Sequence, residues 1–364
     1  MKTRIIFGGV AYAQPNYSRS KYDQAGAVLA NRQIAVDDPR RTAAVEIVGD
    51  WRMAHVFPLE RATAALNAAM AWGLPPGIPT WAFVSSRIKR LESVESKLRR
   101  GNSRLTQIQD IGGCRAVILN GTKKQLDQIA TAIESRAAGL FWAFFKHEWT
   151  RDYIAEPKDD GYRGIHLIMS YDGPEEIIRG LRIEAQLRTK NQHLWSTAVE
   201  ICEFFTQKKL RAKEKTGDKI WQRFFLLTSG YFASIEGMPA VPGTPPNRSD
   251  LIAEIRDIDK KIKALVAFPT WTASFQSIPL NRGFSYFILD LVAQDRCLTI
   301  TPFTREYLAD AERKYMELEN AAANDPSRQV VLVSAESFNE LEDAYPNYFA
   351  RSAEFCAIIG AAID

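Results

Sequence analysis

The stretch from Leu181 to Arg188 constrains the fold more than any other part of this chain. It alternates without interruption: Leu181, Ile183, Ala185 and Leu187 on one side, Arg182, Glu184, Gln186 and Arg188 on the other. Successive side chains of a strand point to opposite faces, so this segment reads as a strand with one face in a core and one face of charge. The polar character continues through Gln192-His193-Leu194-Trp195 into a helical run at Gln192–Gln207. A half-exposed strand with a charged ladder reads this way, and so does one wall of a phosphate-handling cleft. A single carboxylate among several donors suits the cleft.

Two further strand-like segments, Cys114–Leu119 and Gly164–Tyr171, flank a helical run at Lys123–Ala137. Helical periodicity also runs over Arg41–Trp72 and Trp81–Arg100, separated by the proline- and glycine-rich break Gly73–Pro79. This mixture predicts an α/β (α+β) fold, a mixed sheet flanked by helices. Residues 1–40 show no clear period. Gly237–Pro246 is the best linker, and a charged helical run, Asp250–Val266, follows it. The tail then reads strand (Phe284–Val292), strand (Cys297–Phe303), helix (Arg305–Ala323), strand (Val330–Ser334) and helix (Ser337–Ile359, interrupted at Pro346), a second, smaller α/β unit. The expected division is an N-terminal helical region over 1–80, a central α/β domain over 81–236, linker and charged helix over 237–266, and a C-terminal module over 267–364.

The chain has 364 residues, 46% of them hydrophobic, enough for one large or two ordinary cores. Its net charge of +4 does not by itself announce a nucleic-acid binder. The cysteines Cys114, Cys202, Cys297 and Cys356 lie far apart, so no zinc is expected and reduced thiols fit a cytoplasmic protein. The N-terminal apolar stretch, broken by Gly8 and Gly9, falls short of a secretory signal, and no stretch reads as a membrane span.

Four clusters carry chemistry. In the first, Arg87, Lys89, Arg90, Ser93, Lys97, Arg99 and Arg100 crowd a predicted helix; Lys89, Ser93 and Lys97 share a face that can meet a polyphosphate or simply be solvated. In the second, Asp110-Ile-Gly-Gly-Cys-Arg115 runs into a strand and can bring a metal-binding carboxylate near a phosphate clamp; the other reading is a turn capped by Asp. In the third, a polar loop from Asp152 ends in Pro157-Lys158-Asp-Asp-Gly-Tyr162-Arg-Gly-Ile-His166, which places Tyr162 to stack on a base and His166 to touch a phosphate; the other reading is a structural Tyr and His at a strand start, against which the density of Lys, Tyr, Arg and His speaks. The fourth is the alternating strand with Glu184. Two carboxylates, Asp110 and Glu184, among many cations suit phosphoryl chemistry, which is mainly positioning and charge neutralisation. The P-loop, protein-kinase, serine-hydrolase and zincin signatures are absent from the sequence.

In this order the clusters resemble the synthetase domain of the RelA/SpoT family of nucleotide pyrophosphokinases: R-x-K…S…K (Arg87, Lys89, Ser93, Lys97), D-I-G-G-x-R (Asp110 to Arg115), P-K-x-x-G-Y-R-x-x-H (Pro157 to His166) and E-x-Q-x-R-T (Glu184 to Thr189). The resemblance implies a nucleotidyltransferase-like domain over 81–236. It implies transfer of the β,γ-pyrophosphate of ATP to a ribose 3′-hydroxyl, with Mg2+ as cofactor and AMP released. Asp110 and Glu184 would hold the magnesium, and Glu184 would help deprotonate the acceptor. Arg87, Lys89, Ser93, Lys97 and Arg115 would bind ATP, Tyr162 would stack on the acceptor base, and Lys158, His166, Gln186 and Arg188 would contact phosphates or orient neighbours.

The housekeeping members carry an upstream hydrolase domain with an H-D motif, whereas residues 1–80 hold only His55, so no alarmone hydrolysis is expected. The helix after Glu184 also lacks the W-A…H…Y-K pattern of the common small synthetases, and a basic run follows it: Lys208, Lys209, Arg211, Lys213, Lys215 and Lys219. These departures resemble the toxic branch of the small alarmone synthetases, some of which pyrophosphorylate the 3′ end of tRNA; the basic run suits either a tRNA acceptor stem or a solvated helix end. The tail resembles the antitoxin-like, pseudo-zinc-finger module of the fused CapRel toxin–antitoxin proteins, through Val330-Val-Leu-Val-Ser and Ala344-Tyr345-Pro346-Asn347-Tyr348-Phe349. By that resemblance Tyr345 and Tyr348 would plug the ATP site, and a phage capsid or other phage protein would release them in anti-phage defence; the other reading is that Tyr345, Tyr348 and Phe349 pack a small core. The acceptor then stays open between tRNA and a guanosine or adenosine nucleotide.

Overall fold

The computed structural model describes residues 4–73, 82–101, 103–119, 121–135, 140–208, 210, 218–272, 283–295, 297–323, 325–335, 338–349 and 352–364. A hairpin, β1 (Arg4–Phe7) and β2 (Val10–Ala13), leads into helices α1 (Arg19–Ala30), α2 (Pro39–Met53) and α3 (Val56–Gly73). The central part runs β3 (Ala82–Ile88), α4 (Leu91–Arg99), β4 (Gly112–Ile118), α5 (Lys123–Glu134), β5 (Phe145–Asp152), β6 (Ile165–Tyr171), β7 (Arg182–Thr189), α6 (Lys190–Thr206) and α7 (Lys219–Ile235). Then come α8 (Arg248–Ile262), α9 (Ala264–Thr272), β8 (Tyr286–Val292), β9 (Cys297–Phe303), α10 (Leu308–Ala321), β10 (Arg328–Ser334), α11 (Phe338–Ala344) and α12 (Ala353–Ile363).

The fold is mixed α/β, built on a sheet of order β5-β6-β7-β4-β3-β10-β8-β9. Only the β4–β7 pair of this sheet is parallel. The alternating stretch is β7, whose Ile183, Ala185 and Leu187 are buried in the main core with α2, α3, α5 and α10. On the opposite face, β3, β4, β8 and β10 contribute Phe83, Val117, Leu289 and Val331 to a second core closed by Phe204 of α6 and by Leu341, Tyr345 and Tyr348. A third, aromatic-rich core joins α6, α7, α8, α9 and α12.

Three expectations need correction. The helical run read over Trp81–Arg100 is a strand, β3, followed by the shorter helix α4. Ala82–Ile88 pairs with β4 along its whole length, and that ladder overrides local periodicity. Lys89 therefore precedes α4 instead of sharing a helix with Ser93 and Lys97. The C-terminal strands do not form a separate small sheet either. Val333 and Ser334 of β10 pair with Arg87 and Ser86 of β3, so β8, β9 and β10 extend the central sheet. Finally, the stretch read as featureless holds β1, β2 and α1; the buried residues of α1 are Tyr22, Ala25, Gly26 and Leu29, two of them too small to give a strong apolar signal.

Candidate active site

Strand register assembles the site. Parallel pairing sets Gly112 opposite Ile183 and Gly113 opposite Glu184, so Asp110 enters beside the beginning of the polar face of β7. A Cβ on Gly112 would lie 2.7 Å from Ile183 Cδ1, so a larger residue there would push that side chain aside. The rungs continue across the sheet: Arg87 faces Gly113, Arg115 faces both Ser85 and Gln186, and His166 faces Gln186. Directly paired residues share a face. Arg87, Arg115, His166, Glu184, Gln186 and Arg188 therefore converge on one side of four adjacent strands.

Asp110 accepts from Lys89 Nζ at 2.8 Å and Lys97 Nζ at 2.9 Å. Burial favours its neutral form, but the two ammonium groups prevail and hold its pKa well below the usual carboxylate range. Glu184 accepts from His166 Nδ1 at 2.9 Å and from Gln186 Nε2 at 2.6 Å. Burial again opposes ionisation, His166 outweighs it, and the pKa falls to about 2 while the charge of Asp110 pushes the other way. The two carboxylates thus sense one another.

His166 bridges Glu184 to the Tyr162 hydroxyl, 2.5 Å from its Nε2, and Arg188 Nη2 donates to the same hydroxyl at 3.0 Å. Burial would lower the His166 pKa, yet Tyr162 and Glu184 raise it to about 9. Burial would likewise raise Tyr162, but Arg188 and His166 bring it down to about 8. Lys158 Nζ sits 4.0 Å from the Tyr153 ring centroid and 4.7 Å from that of Tyr162. Enclosed in this way, Tyr162 is only 5% exposed. It is not the open stacking platform that the sequence suggested, because its own neighbours occupy its faces and edge.

Cations crowd the remainder of the site. Burial and then the charge of Arg188 lower the Arg115 pKa to about 10. Arg87 keeps accessible surface but has Glu200, Tyr348, Tyr345 and Asp110 within electrostatic reach. Arg115 Nε and Arg188 Nε and Nη1 are buried with no hydrogen-bond partner among the described residues. Buried guanidinium donors left unpaired are costly and fit an anionic ligand such as a polyphosphate. Ser93 lies one turn before Lys97 on α4.

Residues 343–349 lie over this arginine cluster. Arg115 donates to the Ala344 carbonyl and stands over the Tyr345 ring. The Tyr345 hydroxyl donates to Ser86 O at 2.6 Å, and His193 Nε2 lies 3.1 Å from Asp343 O. Tyr345 and Tyr348 are both buried. Burial raises the Tyr345 pKa to about 12, so it stays a donor. Sequence reasoning named the two tyrosines but neither Ser86, the acceptor for Tyr345, nor the contact of His193 with Asp343. Arg163, read only as a letter of the third motif, is buried in an ion pair with Glu236 at 2.9 Å, which anchors the loop ahead of β6 to the end of α7. Partners so far apart in sequence leave no local signal. Of the basic run, Lys208 pairs with Asp218 at 2.5 Å, and Lys209, Arg211 and Lys213 lie outside the described residues.

Among the described residues, no three acidic, histidine or cysteine side chains cluster to hold a metal unaided. Magnesium bound largely through substrate phosphates needs only one or two carboxylates. Asp110 and Glu184, both held ionised, suit that donor set. No helix among the described residues is long and apolar enough to cross a membrane.

Residues 86–203 match the region found in RelA / SpoT proteins. The chain is 33% identical to the GTP pyrophosphokinase YjbM of Bacillus subtilis (strain 168) over 125 residues, 32% of this chain and 53% of that protein. It is 36% identical to the chloroplastic GTP diphosphokinase CRSH2 of Oryza sativa subsp. japonica over 119 residues, 30% of this chain and 20% of that protein. The chain therefore spans about half the length of the bacterial relative and a smaller share of the plant one. A solved structure, small alarmone synthetase 1 from Bacillus subtilis bound to its product pppGpp, overlays 51% of this chain and 93% of its own at 24% identity and a TM-score of 0.40.

Proposed function

We propose that this protein is an ATP-dependent pyrophosphokinase of RelA/SpoT type. The observation that carries the proposal is the convergence of Glu184, Arg87, Arg115 and Arg188 on one sheet face, with buried guanidinium donors left unpaired, beside Asp110 and its partners Lys89 and Lys97. In the reaction the acceptor 3′-hydroxyl attacks the β-phosphorus of ATP, the bond from that phosphorus to the α-phosphate oxygen breaks, and AMP leaves. Lys89, Lys97, Arg87 and Arg115 bind the triphosphate. Glu184, oriented by His166 and Gln186, receives the acceptor proton. Asp110 and Glu184 are the residues that would hold magnesium, which supplies charge neutralisation on the transferred group. Glu184→Gln keeps the shape and removes the base, so transfer should fall at least ~100-fold; activity near the parent level would reject the assignment.

The finer reading is a self-inhibited toxin–antitoxin fusion acting on tRNA in anti-phage defence. Its support is the segment 343–349, which occupies Nη2 of Arg115 and buries Tyr345 and Tyr348 over the cation cluster. A phage protein that lifts this segment would release activity. The second reading is a (p)ppGpp or ppApp alarmone synthetase, favoured by the relatives described as GTP pyrophosphokinases or diphosphokinases. Incubation with γ-labelled ATP and GDP, GTP, ATP or deacylated tRNA separates them. Label in tRNA supports the first reading; label confined to nucleotides removes it.

A further inference from the structure

We propose that Glu319 is a positioning residue: from α10 it caps helix α4 and so holds Lys89 and Lys97 against Asp110. This inference rests on the pyrophosphokinase reading for its catalytic consequence, though not for the cap itself.

The first turn of a helix leaves backbone N–H groups without partners, and a side-chain acceptor at the N-cap usually satisfies one of them. In α4 the N-cap is Arg90, a donor, and it makes no capping hydrogen bond. The acceptor comes from elsewhere: Leu91 N, the first helical amide, donates to Glu319 Oε1 at 2.8 Å across 228 residues of sequence. A carboxylate at this end also complements the helix dipole.

Glu319 is itself fixed. Arg52 of α2, 1% exposed, donates to it through Nη1 at 2.6 Å and Nη2 at 3.0 Å, and Tyr315 donates its hydroxyl at 2.8 Å. Arg52 Nη2 also reaches the Tyr315 oxygen at 2.6 Å, and Arg52 Nε donates to Lys89 O at 2.8 Å. Lys89 N in turn donates to Ile111 O at 2.8 Å. The backbone of Lys89 is thus clamped on both sides, by Arg52 and by the residue after Asp110. Two residues on, Glu319 caps the Leu91 amide, and the helix that begins there carries Lys97 in its last turn. One buried cluster sets where both lysines stand relative to Asp110, and half of that cluster belongs to α10, which packs on β8 and β10. The C-terminal part of the chain therefore reaches the triphosphate-binding cations by a route separate from residues 343–349.

The test uses the full-length protein with Glu319→Gln, which keeps the size but turns one oxygen into an NH2 that must face a donor, either Leu91 N or Arg52 Nη1, and Tyr315→Phe, which removes only the hydroxyl between Arg52 and Glu319. Hydrogen exchange of the Leu91–Val94 amides reads the cap directly. We expect exchange at least ~5-fold faster in Glu319→Gln, with a smaller rise in Tyr315→Phe. In the transfer assay, KM for ATP should rise at least ~5-fold with a smaller change in kcat, and this rise should shrink in a Lys97→Ala background. Unchanged exchange at Leu91–Val94 overturns the inference, as does a fall in thermal stability with KM for ATP unmoved. Should Glu319→Gln fail to fold, Tyr315→Phe alone decides by the same two readouts. Absence of transfer to any acceptor by both the parent and Tyr345→Ala would instead defeat the pyrophosphokinase reading, and faster exchange would still establish the cap.

Discussion

Tyr345→Phe isolates the force that keeps residues 343–349 on the sheet. The substitution leaves the ring in place, still packed among Leu341, Ala344 and Tyr348 and still under Arg115. It deletes the hydroxyl's 2.6 Å donation to Ser86 O, and with it the contact of the same oxygen with the Ser85 side chain. Such a bond contributes about 1 kcal/mol net, and toward ~2 kcal/mol where the orphaned carbonyl stays buried. If the seated segment and a nucleotide exclude each other, that loss multiplies the population open to nucleotide by about 5-fold to ~30-fold. Titration calorimetry with a non-hydrolysable ATP analogue reads the change directly, because apparent affinity scales with the open fraction while the parent is mostly closed. Affinity should tighten by that factor, and Tyr345→Ala, which also gives up the ring contacts, should tighten it further. Equal affinities for parent and Tyr345→Phe would refute the reasoning, since the lost bond would then play no part in access to the site. A weaker affinity would show that Tyr345 helps to bind the nucleotide instead of competing with it.

Two further outcomes follow from buried charge. Glu236→Ala should cost about 3–5 kcal/mol of unfolding free energy, because it strands the buried Arg163 guanidinium; a loss below ~1 kcal/mol in denaturant titration would show that water reaches this pair. His55, fully enclosed beside Trp51, has its pKa lowered to about 4 by burial. The fold keeps it neutral, so its contribution is complete above pH ~6.5 and is lost as pH falls from there toward 4, about 3 kcal/mol in all. His55→Gln should reduce the pH dependence of stability in that window by nearly one proton; an unchanged slope would mean that His55 does not titrate on unfolding.

Some of this was written in the sequence because it is local. A period of two over Leu181–Arg188 announces a strand in any protein that buries one face, and β7 runs Arg182–Thr189. Asp110, Glu184, Tyr162 and His166 stand out because carboxylates, glycines and cations fall together along the chain. Trp81–Arg100 misled because Ala82–Ile88 becomes a strand only where β4 and β10 offer it ladders, and no local pattern reports a partner. The same holds for the site. Strand register, not spacing, brings Arg115 and Gln186 onto one rung and Arg87 and Glu184 onto opposite sides of Gly113. Packing of β10 against β3 lays Tyr345 over Ser86, and packing of α10 lets Glu319 cap a helix that begins at Leu91. The sequence determined which groups could do chemistry. Strand register and contacts between distant segments decided how those groups are held and what covers them, since both depend on the assembled sheet and leave no periodic trace in the chain.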